Sequence, residues 1–187
     1  MVRCFIALDL NNPAIIDKVR SLQEELLNAG IKGRAVDPNT LHVTLQFLGE
    51  INDEQVKSVI GRLDEIDFKP FRVSMRGLGY FPGGDRINVV WVGLEDGEGK
   101  LIEVQREVVR RLGSIGFKQD KDFVPHATLL RVKAVTDKSR ALSVLAKLRD
   151  LEIGEILVDH LKLKKSTLTS SGPIYQDIHA VSRRVSF

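Results

Sequence analysis

The sequence predicts a protein of the α+β or α/β class, built from two copies of one β-α-β-α-β unit that form a pair of lobes. Three observations support this class: strand and helix patterns alternate, each half repeats the same order of patterns, and a His-x-Thr motif recurs at His42 and His126. The chain has 187 residues, 43% hydrophobic and 28% charged, which suits a single bilobal domain. We predict one repeat half over 1–86 and the other over 87–187.

The first half begins with an apolar strand at 3–10. A helix follows, because Asn12 is a favourable N-cap residue, proline occupies the first helical position, and Gly30 comes just after the last residue of the apolar stripe. The next strand carries His42. A second helix begins after Asn52, since a glutamine three residues later completes a capping box, and a strand with the sequence FRVSMRGLGYFP closes the half.

The second half repeats this order of elements. The predicted elements are a strand at 87–94, a helix at 101–116, the strand of the second motif, a helix opening at Thr136, a strand at 155–163 and a final strand around 174–185. The two motif histidines lie 84 residues apart, and the glycines that end the two long helices, Gly30 and Gly116, lie 86 apart. This near-constant offset indicates an internal duplication.

Composition excludes several classes of function. A single cysteine, Cys4, rules out an intramolecular disulfide, and its place in an apolar strand predicts a buried, unreactive thiol. No run approaches the length of a membrane span, and Asp9 interrupts the first apolar segment too early for a signal peptide. The net charge of +3 is compatible with a phosphate-bearing ligand. We expect a cytoplasmic monomer that makes no membrane contact.

The two motifs place polar side chains on one face of each strand. Side chains on a strand alternate between faces, so His42 and Thr44 project together, as do His126 and Thr128, while the apolar residues between them project toward the helices. Each lobe therefore presents one imidazole and one hydroxyl from a rigid strand. If the lobes face each other, the two pairs meet in one cleft.

Two imidazoles in one cleft suit general acid and base catalysis. The unperturbed pKa of histidine is about 6.5, so one ring is able to accept a proton while the other donates one. Threonine hydroxyls donate hydrogen bonds to oxygen atoms, and this set of groups fits in-line displacement at phosphorus. A metal site usually takes three or four ligands, and neither strand supplies acidic or cysteine ligands nearby, so we predict no metal and no cofactor.

Two more residues are candidate substrate contacts. Phe47 lies five residues from His42, so strict alternation turns its ring away from the cleft and favours core packing; a bulge, or the end of the strand near Gly49, would instead bring the ring into the cleft to stack on a base. Arg131 has the same spacing from His126. A guanidinium is hard to bury, and its geometry suits a phosphate or a stacked base, so we place Arg131 near the cleft.

Other conspicuous residues have structural interpretations. We expect His160 and His179 to be structural or exposed, and Trp91 to belong to the core. The segment LKLKK at 161–165 has two open interpretations: a basic rim that faces RNA, or a strand with one solvated face.

Several segments together resemble one known family. LHVTLQFLGE and PHATLLRV are similar to the paired H-x-T-[LIV] signatures of the two-histidine phosphoesterase superfamily, and specifically of the 2′-5′ RNA ligase (LigT/ThpR) family of RNA 2′,3′-cyclic phosphodiesterases. RCFIALDL resembles the opening segment of that family, and LKLKKSTLTSSGPIYQDI resembles its closing segment. The resemblance extends over nearly the whole chain.

The resemblance implies an α+β, bilobal fold with antiparallel sheets flanking a V-shaped cleft, and hydrolysis of RNA 2′,3′-cyclic phosphate ends to 2′-phosphates. It implies His42 as the general acid and His126 as the general base, with Thr44 and Thr128 on the phosphate oxygens. It also favours a nucleobase contact for Phe47. The alternative is an RNA-binding protein, or one that joins tRNA halves through a 2′-5′ linkage, with incidental hydrolysis. The two intact histidines favour the enzyme.

Overall fold

The computed structural model describes residues 1–10, 12–119, 122–170 and 172–183. These residues form an α+β fold with a curled antiparallel sheet, as predicted. The elements are β1 (Val2–Asp9), α1 (Pro13–Asn28), β2 (Ile31–Ala35), β3 (His42–Ile51), α2 (Asp53–Asp64), β4 (Phe71–Gly83), β5 (Arg86–Glu95), α3 (Lys100–Gly113), β6 (His126–Val135), α4 (Lys138–Lys147), β7 (Glu152–Val158), β8 (His160–Thr169) and β9 (Gly172–Ser182).

The strands form one sheet in the order β7-β4-β5-β6-β3-β1-β8-β9, and β2 pairs with β6 as well. The two motif strands, β3 and β6, meet at the centre of this order. They are joined through a single residue pair, Val43 with Ala127, and both side chains are fully buried. The site strands therefore lie where the two sides of the sheet meet.

The two sides of the sheet do not coincide with the two halves of the sequence. One side contains β1, β3, β8 and β9, and the other contains β2, β4, β5, β6 and β7. Thus β4, which follows α2 in the first half, pairs with β5, and β8 pairs with β1. This exchange of strands ties the beginning of the chain to its end. The division at 86 and 87 remains a prediction about the repeat.

Local sequence explains the helix boundaries. The side chain of Asn12 accepts a hydrogen bond from the amide of Ala14, and Asn52 and Gln55 form the predicted capping box. Gly30 follows α1 with a φ of +89°, in the left-handed region that favours glycine. α4 begins at Lys138 rather than at Thr136, because the carboxylate of Asp137 caps it by accepting from the amide of Arg140.

The structure corrects two strand predictions. The segment at 155–163 is not one strand: it breaks at Asp159 into β7, which pairs with β4, and β8, which pairs with β1 on the opposite side of the sheet. The edge strand β2 was not predicted, because Lys32, Gly33 and Arg34 interrupt any apolar alternation there. The predicted end of the last strand, at 184–185, lies outside the described residues.

Apolar faces of the helices cover one face of the sheet. The fully buried residues of α1 and α3 follow helical spacing and include Val19, Leu26, Val108 and Leu112. Cys4 is buried in β1, as predicted. No helix in the described part of the chain is both long and apolar enough to cross a bilayer.

Candidate active site

The central pair of β3 and β6 brings the two motifs together. In the antiparallel register set by Val43 and Ala127, His42 comes opposite Thr128 and Thr44 comes opposite His126. Because Val43 and Ala127 are buried, the four polar side chains project to the other face. The site is therefore nearly symmetric about this pair, with one histidine and one threonine from each strand.

These side chains line a cleft of about 1090 Å³. All six site residues predicted from the sequence line this same cleft, which also contains aromatic and arginine side chains from neighbouring strands; the six are His42, Thr44, Phe47, His126, Thr128 and Arg131. Among the described residues, no group of three or more histidine, cysteine or acidic side chains is arranged as a metal site.

Each catalytic candidate has its ring fixed through one nitrogen. Nδ1 of His42 lies 2.8 Å from the carbonyl oxygen of Thr40, and Nδ1 of His126 lies 2.6 Å from that of Val124. A carbonyl only accepts, so Nδ1 carries the proton in both rings and Nε2 is the nitrogen that titrates. The two carbonyls lie 84 residues apart, like the histidines themselves. The repeat therefore reproduces the ring orientation as well as the residue.

Aromatic side chains enclose both imidazoles. The ring of His42 packs 5.1 Å from Phe5 and 4.9 Å from Tyr175, measured between centroids. The ring of His126 packs edge-to-face against Phe81 at 5.0 Å, and Trp91 lies 5.9 Å away. Trp91 is therefore a wall of the histidine site and only half-buried, a correction to its predicted core position. Tyr175 lies in the closing GPIY segment of the sequence and Phe5 in the opening RCFIALDL segment, whereas no sequence signal singled out Phe81.

Burial lowers the pKa of both histidines below the ordinary value of 6.5. For His42, the positive charges of Lys164 and Arg131 also lower the pKa, while the Thr40 carbonyl and the Asp9 carboxylate raise it. For His126, only the Val124 carbonyl opposes the effect of burial. The two rings therefore have similar geometry but different electrostatic surroundings.

Matching bulges explain how Phe47 and Arg131 enter the cleft. Leu45 is an extra residue in β3 relative to β1, and Leu129 is an extra residue in β6 relative to β5. Each bulge shifts the alternation by one residue, so the side chain five positions after the histidine returns to the cleft face. Phe47 is 67% exposed, and its core-packing interpretation is wrong for this reason.

Two buried glutamines support these bulges. Gln23 of α1 donates from Nε2 to the Leu129 carbonyl at 3.0 Å, and Gln105 of α3 donates to the Leu45 carbonyl at 3.5 Å. A bulge interrupts the hydrogen bonds of the ladder, so these amides supply donors where strand partners are lost. A glutamine on the buried face of each helix was the available sequence signal, and sequence reasoning missed it.

A compact network of four charges adjoins His42. Lys164 contacts Asp9 at 2.8 Å and Asp177 at 2.6 Å, and Lys162 contacts the same two carboxylates at 2.6 Å each. Asp9 also pairs with His42 between β1 and β3. Neither interpretation of LKLKK fits Lys164, which is 8% exposed and binds two carboxylates, whereas Lys162 is half-buried and binds the same two.

The other two histidines lie outside the cleft lining. Nδ1 of His160 lies 2.5 Å from Asp159, and Nε2 of His179 lies 2.7 Å from Asp64. Each of these histidines lies in a β-strand and contacts a carboxylate outside the cleft. Their predicted structural interpretation is confirmed.

Comparison with known proteins finds relatives along nearly the whole chain. The model of the family described as LigT-like phosphoesterase matches twice, over residues 8–91 and 92–175. The chain is 38% identical to the RNA 2′,3′-cyclic phosphodiesterase of Archaeoglobus fulgidus, covering 95% of this chain and 98% of that protein. It is 39% identical to the protein of the same name from Aquifex aeolicus, covering 94% of each.

Solved structures share the fold. The crystal structure of TT0787 from Thermus thermophilus superimposes with a TM-score of 0.76 at 28% identity, covering 96% of this chain and 97% of that one. Escherichia coli LigT complexed with 3′-AMP gives a TM-score of 0.75 at 23% identity over 97% of each chain, a likeness of fold. Sequence and fold agree, and the chain belongs to the LigT-like phosphoesterase family.

Proposed function

We propose that this protein hydrolyses RNA 2′,3′-cyclic phosphate ends to 2′-phosphates, using its two histidines as a general acid and a general base. One observation carries the proposal: two imidazoles with Nδ1 fixed to a backbone carbonyl line one cleft, each with a threonine beside it. Relatives that share more than a third of this sequence are named RNA 2′,3′-cyclic phosphodiesterases, which supports the choice of substrate.

The proposed reaction is a single in-line displacement at phosphorus. Nε2 of His126 accepts a proton from water as the water oxygen forms its bond to phosphorus. The bond between phosphorus and the 3′ oxygen breaks, and Nε2 of His42 donates a proton to that leaving oxygen. The product carries a 2′-phosphate and a free 3′ hydroxyl. Positioned proton transfer of this kind contributes about 10²- to 10⁴-fold to rate.

The threonines are suited to hold the cyclic phosphate, and Arg131 adds positive charge to the cleft. Thr44 and Thr128 lie on the same face as the histidines, and hydroxyl donors in a half-buried site stabilise the charge that builds on the non-bridging oxygens. Arg131 adds a fixed positive charge close enough to lower the pKa of His42. A cyclic phosphate therefore meets two neutral donors beside the two rings, and the Arg131 cation lies further along β6 in the same cleft.

Phe47 is proposed to stack on a nucleobase, since its ring is exposed in the cleft. Base–aromatic stacking contributes about 1–3 kcal/mol, so Phe47→Ala is expected to raise KM about tenfold while kcat changes little. Steady-state kinetics on a dinucleotide with a cyclic end would measure this. Ile174→Ala is the matched control, because Ile174 is 55% exposed but does not line the cleft. An unchanged KM in Phe47→Ala would remove Phe47 from substrate binding.

The pH dependence follows from the lowered histidine pKa values. In the active form one of the two Nε2 atoms is protonated and the other is not, and this form is most populated between the two macroscopic pKa values of the free enzyme. Burial places both values below about 6.5, so the maximum of kcat/KM is expected on the acid side of about pH 6.5. Above this range the acid loses its proton, and below it the base is already protonated. A kcat/KM that rises with pH to a maximum above about pH 7.5 would contradict the assignment.

We also propose RNA as the partner, including fragments of tRNA, with the protein acting as a cytoplasmic monomer. Three arginines and one aspartate line the cleft among the described residues, a balance that favours a polyanion. The joining of RNA ends is the same in-line displacement, in which a ribose hydroxyl replaces water. The same histidines and threonines suit either nucleophile, and hydrolysis is the simpler reaction because its nucleophile is water.

Identification of the product tests the proposed function. An oligoribonucleotide with a 2′,3′-cyclic phosphate end is incubated with the protein in excess EDTA, and the product is resolved from synthetic 2′-phosphate and 3′-phosphate standards. We expect the 2′-phosphate alone, at a rate that EDTA leaves unchanged. Formation of the 3′-phosphate, or loss of turnover in EDTA, would contradict the proposal.

A further inference from the structure

Two arginines face the same part of the cleft from neighbouring strands. Arg34 of β2 pairs directly with Arg131 of β6 in the antiparallel register, and both side chains line the cleft. Directly opposed residues have Cβ atoms about 5 Å apart on one face of the sheet, where like charges repel each other. A bound anion between the two guanidinium groups offsets that repulsion.

The hairpin between β8 and β9 holds Arg34 in the cleft. A Cβ atom at Gly172 would lie 1.0 Å from Nη2 of Arg34, so the guanidinium occupies the space that any other residue at 172 would fill. Arg34 is half-buried as a result. The hairpin belongs to the opposite side of the sheet from β2, and the arginine therefore reaches across the cleft with its position already fixed.

The arginine pair lies beyond the reacting centre. Arg131 is three residues past Thr128 but only about 7 Å along the strand, because the bulge at Leu129 makes these three steps span two residues of β5; the histidines and threonines cluster around the central strand pair. Among the charged side chains that line the cleft, Asp122 is the one acidic group in the described residues, against Arg3, Arg34 and Arg131. A second anionic group of the substrate thus has a cationic position prepared for it.

We propose that Arg34, together with Arg131, binds a second phosphate of the RNA, the phosphodiester on the 5′ side of the terminal nucleotide. This inference rests on the proposed function. The cyclic phosphate is at the 3′ end of the chain, so every other phosphate of the substrate lies on its 5′ side. The pair makes the enzyme favour oligonucleotide ends over nucleoside 2′,3′-cyclic phosphates, which lack that phosphodiester.

The experiment compares two dinucleotides with cyclic ends, one with a natural linkage and one with a neutral methylphosphonate linkage. Charge-assisted hydrogen bonds contribute enough that the wild type should lose about tenfold in kcat/KM on the neutral linkage. Arg34→Gln should discriminate between the two linkages by about twofold or less. Lys32→Gln, on the same strand but outside the cleft lining, is the control and should discriminate as the wild type does.

The double variant Arg34→Gln/Arg131→Gln tests whether the two side chains share one ligand. Its loss on the natural linkage should be smaller than the product of the two single losses, because residues that contact one group are not additive. Undiminished discrimination in Arg34→Gln would overturn the proposal. The proposal would also be overturned if Arg34→Gln lost the same factor in kcat/KM on the natural dinucleotide and on a nucleoside 2′,3′-cyclic phosphate.

If the proposed function is wrong, the experiment gives a different result. In that case the wild type hydrolyses neither dinucleotide, and calorimetry with the two 2′-phosphate products decides the inference alone. Tighter wild-type binding of the natural linkage, lost in Arg34→Gln, supports the second phosphate site. Equal affinity of the wild type for both linkages overturns it.

Discussion

Replacing His42 or His126 by alanine is expected to lower kcat/KM on a cyclic phosphate end by about 10²- to 10⁴-fold. Each ring has its Nδ1 fixed to a backbone carbonyl, so each supplies Nε2 alone to the reaction. Losing either ring removes one of the two proton transfers, while the threonines and arginines still bind substrate. The measurement is steady-state hydrolysis of a cyclic-ended oligonucleotide.

A control variant and a double variant test this expectation further. His179→Ala removes a histidine that binds Asp64 outside the cleft and should retain wild-type activity. The kcat/KM of the variant His42→Ala/His126→Ala should be little lower than that of the less active single variant, because the effects of groups that act in one step are not additive. A loss below about tenfold in either single variant would contradict a role in proton transfer.

Replacing Lys164 by methionine is expected to lower the free energy of unfolding by about 3 kcal/mol. The amine of Lys164 is buried and contacts both Asp9 and Asp177, so methionine leaves these carboxylates with Lys162 as the remaining lysine in contact among the described residues. A buried charge without its partner is costly, whereas a methionine side chain fills much of the same volume. Urea denaturation followed by circular dichroism measures the change.

Lys165→Met is the matched control for this prediction. Lys165 is the next residue of β8, it is less buried, and its loss should change stability by less than about 0.5 kcal/mol. Lys164→Met/Asp177→Asn should recover part of the loss, since the added substitution leaves Lys162 with one carboxylate, Asp9, to balance. Equal stability of the Lys164 and Lys165 variants would show that the network contributes nothing to folding.

The catalytic pair could be predicted because its signals are local and repeated. Alternation on a strand places His42 with Thr44, and the same spacing returns 84 residues later at His126 and Thr128. Helix starts were equally local, as at Asn12, where a side-chain oxygen and a backbone amide two residues away decide the boundary. Such features need no knowledge of the tertiary fold.

Features that depend on distant partners did not follow from local spacing alone. The exposure of Phe47 depends on a bulge at Leu45, whose carbonyl is met by Gln105 from a helix 60 residues away. In the sequence, Lys164 is one lysine in an alternating basic strand. Its burial depends on the carboxylates of Asp9 in β1 and Asp177 in β9, which are distant in sequence. The strand exchange between the sequence halves also arises only when the whole sheet forms.

The most direct test of the paired-histidine account uses a substrate whose bridging 3′ oxygen is replaced by sulfur. A sulfur leaving group departs without a proton, so a missing general acid should matter little and a missing general base should still matter. Single-turnover rates are measured for wild type, His42→Ala and His126→Ala on the oxygen and sulfur substrates. The account predicts that sulfur restores His42→Ala to near the wild-type rate and leaves His126→Ala impaired. Equal impairment of both variants on the sulfur substrate would contradict a division of acid and base roles between the two histidines.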